Sequence, residues 1–206
     1  MRRIGHRGAM GHAQENTVAS FEKAIALDCD EVETDVWLIA DEQLVISHDP
    51  PADGVVLSLD TILDLCRGRV GVNLELKSEG DESRAAATGT QVARLLAERG
   101  DPDVYLSSFW WAALAAARAA APAVRRAFIF SDSPDRGALI ASARSLGLWA
   151  LHPNRAYVTR ELVDAAHAAG LRVNAWTVND QAEIAAFAAL GVDGIMSNWP
   201  ERVPKG

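Results

Sequence analysis

Between residue 2 and residue 198 short apolar runs and longer Ala/Leu-rich runs take turns with little interruption, and this regular alternation constrains the chain more than any other feature. Runs such as Arg2–Gly8, Arg69–Lys77, Val104–Phe109 and Val124–Phe130 have strand length and composition. Between them Ser83–Arg99, Trp111–Ala121, Gly137–Leu146, Thr159–Ala169 and Gln181–Leu190 repeat apolar residues at helical spacing, closed by Pro122, Gly147, Gly170 or Gly191. Strand–helix repetition of this kind predicts a parallel sheet with right-handed crossovers. Eight such units close a cylinder, so the expected fold is α/β, a single compact (β/α)₈ barrel of the TIM type spanning 1–206. At about 26 residues per unit it is near the smallest size for that fold, with only a short insertion after the second strand and the last helix reduced to Pro200–Val203. That reduction leaves a seam between the last and first units, and a homo-oligomer is one way to cover it.

Composition excludes several functions. With 49% hydrophobic residues the chain can bury a full core, and a net charge of -8 supplies no basic surface for nucleic acid or for stable anchoring on an anionic membrane. The two cysteines, Cys29 and Cys66, have neither a zinc nor a disulfide pattern, and no run approaches the length of a membrane span. The expectation is a soluble, cytoplasmic protein with a small-molecule partner.

One strand breaks the usual rule for buried elements. In CDEVETDV, Val32, Thr34 and Val36 alternate with Glu31, Glu33 and Asp35, so three acids share a face. Carboxylates roughly 6 Å apart repel by about 3 kcal/mol at an effective dielectric near 20, before desolvation is counted. Either the face is solvated or a hard cation such as Mg²⁺ or Ca²⁺ sits over Glu33 and Asp35. RVGVNLELK repeats the pattern, placing Asn73, Glu75 and Lys77 opposite Val72, Leu74 and Leu76. In a barrel of this kind the active site lies at the carboxyl ends of the strands. His6, Glu33, Asp35, Glu75, Lys77 and Trp176 all fall there, which favours the cation. A hairpin turning at Asp41-Glu42 would bring His48 back to the same level.

In order along the chain, HRGAMGHAQENTVASFEKAIAL, EVETDV, VISHD, NLELK, YLSSF, AWTVND and GVDGIMSN resemble the glycerophosphodiester phosphodiesterase family. The resemblance implies a (β/α)₈ barrel that hydrolyses a phosphodiester to sn-glycerol 3-phosphate and an alcohol with one bound divalent cation. Carried over position by position, it makes Glu33, Asp35 and Glu75 the metal ligands and His6 and His48 an acid/base pair. Arg7 and Lys77 become phosphate contacts, Trp176 an aromatic wall for the glycerol, and Glu15 a further substrate-side residue. The sequence leaves the roles of the two histidines open. His12, His152 and His167 are read as surface or core, Trp37, Trp110, Trp111, Trp149 and Trp199 as packing or surface, and Glu31 as structural.

Departures from the family pattern fall around the mouth. Gln14 replaces a proline, Ile39 a threonine, Glu42 a glycine, and Ser197-Asn198 stands for Thr-Asp. Only DPPADGVVLS follows His48, where many relatives carry a longer insertion. A wide mouth with weak discrimination of the leaving alcohol is therefore expected. Lysophospholipids or other phosphodiesters are the alternative substrates, and a phosphate-binding barrel without turnover is the alternative function.

Overall fold

Ten strands and seven helices account for the regular structure in the computed structural model, which describes residues 1–39, 42–51 and 57–205. In chain order they are β1 (Arg2–Gly5), α1 (Val18–Ala26), β2 (Glu31–Leu38), β3 (Leu44–Ile46), β4 (Leu57–Ser58), α2 (Leu59–Cys66) and β5 (Gly71–Leu76). There follow α3 (Glu82–Arg99), β6 (Val104–Ser108), α4 (Trp111–Ala120), β7 (Arg126–Phe130), α5 (Arg136–Ser145) and β8 (Ala150–Pro153). The series ends with α6 (Arg160–Ala168), β9 (Arg172–Ala175), α7 (Gln181–Leu190) and β10 (Gly194–Ser197).

Strands β1, β2 and β5 to β10 are parallel neighbours, and the pairings β1–β10 and β1–β2 close the cylinder, so the eight-unit expectation holds. β3 and β4 form an antiparallel flap on the free end of β2, with Val36 paired to Ile46. The flap's tip at residues 40–41 and residues 52–56 of the insertion lie outside the described residues, so the turn expected at Asp41-Glu42 is described only in part. After β10 the chain makes a single 3₁₀ turn, Pro200–Arg202, where a full helix would otherwise stand. Val203 is buried there and its carbonyl accepts from the Arg3 guanidinium at 2.8 and 2.9 Å, so the seam is pinned from within the chain.

Local chemistry sets the element ends. Thr17 caps α1 in a reciprocal box with Ser20, Asp81 and Asp180 cap α3 and α7, and Gly100 and Gly191 end those helices in the left-handed conformation. The acidic strand is not a solvated edge: β2 lies between β1 and β5, and Glu31 to Trp37 are buried. Val32, Val36, Leu74, Leu76 and Leu106 face the helices and form the shell core with Phe21, Ile62, Val92 and Leu96. A second cluster continues it through Leu151, Val173 and Ile195 against Leu139, Val163 and Ile184. Each such side chain contributes about 1.5–3 kcal/mol of burial. By alternation, the other face of each strand lines the lumen, and much of it is polar. No described helix is long and apolar enough to cross a membrane.

Candidate active site

Register brings the acids together. β2 and β5 pair so that Glu33 stands beside Asn73 and Asp35 beside Glu75. One carboxylate oxygen from each of Glu33, Asp35 and Glu75 lies within 4.8 Å of the others, the one such acidic, histidine or cysteine group among the described residues. Glu33 and Asp35 are almost wholly buried.

The turn after β1 wraps over this trio. Arg7 takes a left-handed backbone (φ 51°), and its amide donates to Glu33 Oε2 at 2.9 Å while Gly8 N donates to the Glu33 carbonyl at 3.3 Å. Gly8 also has positive φ, and a Cβ there would come within 2.6 Å of the Ser20 backbone, so no other residue fits. Holding a non-glycine residue at positive φ costs about 1–3 kcal/mol, a strain tolerated where the surroundings fix the geometry. Here the guanidinium gains from it: Nη1 donates to Glu15 Oε2 at 2.8 Å and Nε lies 3.4 Å from Asp35 Oδ2. Lys77 approaches from β5's end, 3.1 Å from Glu75 Oε1 and 3.5 Å from Asp35 Oδ1.

Two cations therefore face four carboxylates, counting Glu15. Burial first, and then the neighbouring Asp35 and Glu75, hold Glu33 well above the ordinary carboxylate range. Burial and Asp35 push Glu75 up to about 7. Burial works against the charge on Lys77, yet Glu75 and Asp35 outweigh it and hold the ammonium above its usual value. The site has more negative charge than its own cations satisfy. Glu33 Oε1 is buried without a hydrogen-bond partner, and a hard divalent cation fits both facts.

His6 enters from the same turn. Its Nδ1 is 2.8 Å from Asn198 Oδ1, and its Nε2 is 3.9 Å from Glu33 Oε2. Burial, and then Arg7, hold the imidazole down at about 4. An amide oxygen only accepts, so the proton of the neutral ring sits on Nδ1 and Nε2 presents its lone pair to the site. The backbone of Asn198 is itself fixed, its main-chain N–H donating to Asn179 Oδ1 at 2.9 Å, and Asn179 Oδ1 also accepts from Ser197 Oγ.

His48 stands apart from that cluster. Its Nδ1 meets Asp49 at 3.0 Å, and the ring lines a groove of about 450 Å³ together with Glu15, Asn16, Val18 and Ile46. Trp176 is on another side of the mouth, its indole N–H donating to the His152 carbonyl at 2.8 Å and its ring edge-to-face with Phe109 at 5.6 Å. Trp110, read from sequence as packing or surface, lines a further groove with Glu75 and Lys77.

Three residues at the site escaped the sequence reading. Asn16 is buried at φ 54° and joins two strand residues: its Nδ2 donates to Asp35 Oδ2 at 3.0 Å and its Oδ1 accepts from Thr34 at 2.9 Å. Asn198 holds His6, and Phe109 is one of two exposed large hydrophobics among the described residues. Only Asn16 carried a usable signal, since asparagine tolerates positive φ and Thr17 was the better cap.

The model of the "Glycerophosphoryl diester phosphodiesterase family" matches residues 6–70 and 51–202. The chain belongs to this family. Its members are phosphoric diester hydrolases, and the barrel seen here is the fold of its solved relatives. A glycerophosphodiester phosphodiesterase of Bacillus altitudinis is 28% identical over 246 residues, covering 98% of this chain and 96% of that protein. The structure of an Oleispira antarctica phosphodiesterase in complex with the product sn-glycerol-3-phosphate superposes with a TM-score of 0.89 at 26% identity, covering 98% of this chain and 95% of that one. A lysophospholipase D of Rattus norvegicus is 46% identical over 48 residues, 23% of this chain and 15% of that protein.

Proposed function

We propose that this chain is a single catalytic domain that hydrolyses a glycerophosphodiester to sn-glycerol 3-phosphate and an alcohol. The observation that carries this reading is the convergence of Glu33, Asp35 and Glu75 under two cations and a neutral imidazole. The Oleispira antarctica relative with its bound product supports the same substrate class. Glu33, Asp35 and Glu75 would hold one divalent cation, Mg²⁺ or Ca²⁺. When bound, it supplies Lewis-acid polarisation of a phosphoryl oxygen. Arg7 and Lys77 contact the remaining phosphate oxygens, the guanidinium as a fork and the ammonium as a point charge.

His6 is the base. Its proton-free Nε2 accepts the proton of the attacking hydroxyl, while Asn198 holds the ring and its tautomer. His48 is the acid: half-exposed beside Asp49, it lines the adjoining groove and gives a proton to the leaving alkoxide there. Glu15 orients Arg7, and Trp176 with Phe109 forms an apolar wall for the glycerol carbons. Turnover of glycerophosphocholine, with and without EDTA, tests the reading. Activity abolished by EDTA and restored by Mg²⁺ or Ca²⁺ is expected, and a chain inert under all these conditions would leave a phosphate-binding barrel.

A second reading, hydrolysis of lysophospholipids, draws on the 48-residue likeness to a lysophospholipase D and on the exposed Phe109 at the mouth. Release of choline from lysophosphatidylcholine faster than from glycerophosphocholine would favour it. The chain's buried, unpaired Cys29 and Cys66 suit a reducing compartment, and we place it in the cytoplasm.

A further inference from the structure

Uncharged polar side chains share the lumen with the carboxylates. Asn73 stands beside Glu33 in register, and Ser107 beside Glu75. On another part of the wall His152 and Asn174 meet, with Asn174 Nδ2 3.1 Å from His152 Nε2. All four residues are fully buried. Yet five of their atoms find no partner in the protein: Asn73 Nδ2 and Oδ1, Ser107 Oγ, His152 Nδ1 and Asn174 Oδ1. An unpaired buried polar group costs about 1–3 kcal/mol, so five would cost roughly 5–15 kcal/mol, as much as the net stability of a whole domain. A native interior does not carry that penalty.

The unpaired atoms form a matched set. Asn174 Nδ2 donates to His152 Nε2, which leaves the ring proton on Nδ1; Asn73 Nδ2 and His152 Nδ1 are then donors, Asn73 Oδ1 and Asn174 Oδ1 acceptors, and Ser107 Oγ either. Direct pairing across the set is hindered by topology, because β6 and β7 separate the strand of Asn73 from that of His152. Gly194 contributes as well: a Cβ there would come within 2.6 Å of Asn174 Oδ1, so the amide keeps its place only because that neighbour has no side chain. Buried water typically makes about three hydrogen bonds to such groups.

We propose that Asn73, Ser107, His152 and Asn174 hold a fixed layer of ordered water beside the carboxylate trio, and that through it Asn73 is a positioning residue for Glu33 and Glu75. The layer stands on the unpaired atoms alone; the positioning role rests on the metal reading above. A high-resolution crystal structure of the full chain should show water hydrogen-bonded to at least three of these four side chains. Side chains turned onto one another around a dry lumen would overturn the layer. Titration of Mg²⁺ into the protein by calorimetry, set against melting temperature, tests the second half. Asn73→Leu should bind Mg²⁺ roughly tenfold more weakly, with a melting temperature close to that of the parent. Ser107→Ala, which removes a single hydroxyl, should weaken binding in the same direction and serves if Asn73→Leu does not fold. Unchanged affinity in a variant whose crystal has lost the water would overturn the positioning role. A parent chain that takes up neither Mg²⁺ nor Ca²⁺ while its crystals show the water would overturn the metal reading and the positioning role with it, and uphold the layer.

Discussion

One strand, β2, supplies acids to both ends of the barrel, and the two ends treat them in opposite ways. At the floor Glu31 is a single buried carboxylate with partners of its own: Arg2 Nε lies 2.7 Å away, and the Tyr105 hydroxyl donates to it at 2.9 Å, though burial still outweighs them and holds the carboxyl above its ordinary range. Around it Arg125 and Arg172 rest against the Trp149 ring at 4.9 and 5.0 Å. Two residues on, Glu33 and Asp35 meet Glu75 with cations too few to match them. Buried charges that are balanced within the chain contribute to the architecture, whereas an uncompensated excess calls for something from outside. On the proposed function the contrast separates a structural pole from a functional one, in keeping with the barrel's asymmetry.

The contrast can be broken most severely at the rim. His6→Ala should lower turnover of glycerophosphocholine about 10²–10⁴-fold with little change in melting temperature, since it removes proton transfer and leaves the shell core intact. Steady-state kinetics with a thermal melt decides this, and a fully active variant would remove His6 from the mechanism. Next in size is the response to metal. Mg²⁺ at about 100 times its dissociation constant should stabilise the chain by about 2.7 kcal/mol, a melting shift of roughly 5–10 °C. Asp35→Asn should abolish that shift, while Tyr105→Phe at the floor should keep it.

Between the poles, His152 gives a pH signature. Burial alone holds its imidazole at about 3 in the fold, against 6.5 for a free histidine. Below pH 6.5 the unfolded chain takes up a proton that the folded chain refuses, so stability falls as pH falls, and the loss ends only near the folded value. Between pH 6.5 and 4.5 the loss should be about 2–3 kcal/mol. Urea melts of the parent and of His152→Phe should converge toward low pH by that amount; parallel curves would mean the ring is protonated in place. The smallest effect belongs to the floor. Tyr105→Phe leaves Glu31 with Arg2 alone and should cost about 1–2 kcal/mol in a denaturant melt, with activity retained.

The floor and the rim also differed in how legible they were. The barrel could be read because strand and helix periods are local properties, repeated eight times in one direction. Glu33, Asp35 and Glu75 could be read because acids on a strand that must be buried violate a local rule. Asn16 and Asn198 could not, since an asparagine in a loop has many ordinary uses and its partner is fixed only when distant strands come into register. The excess of acid on β2 left a solvated edge as the lesser reading, and pairing with β1 and β5, which buries the strand on both sides, removed it.

By itself, then, the order of residues determined the alternating elements, their caps and stops, and which side chains share a face, because each depends on neighbours a few positions away. Only the closed barrel decided that Glu75 meets Asp35, that Asn198 holds His6, and that Glu31 meets a cation and a hydroxyl while Glu33 meets two further acids. Those outcomes depend on register and burial, and electrostatic energy in a low-dielectric interior depends on distances that no stretch of sequence contains.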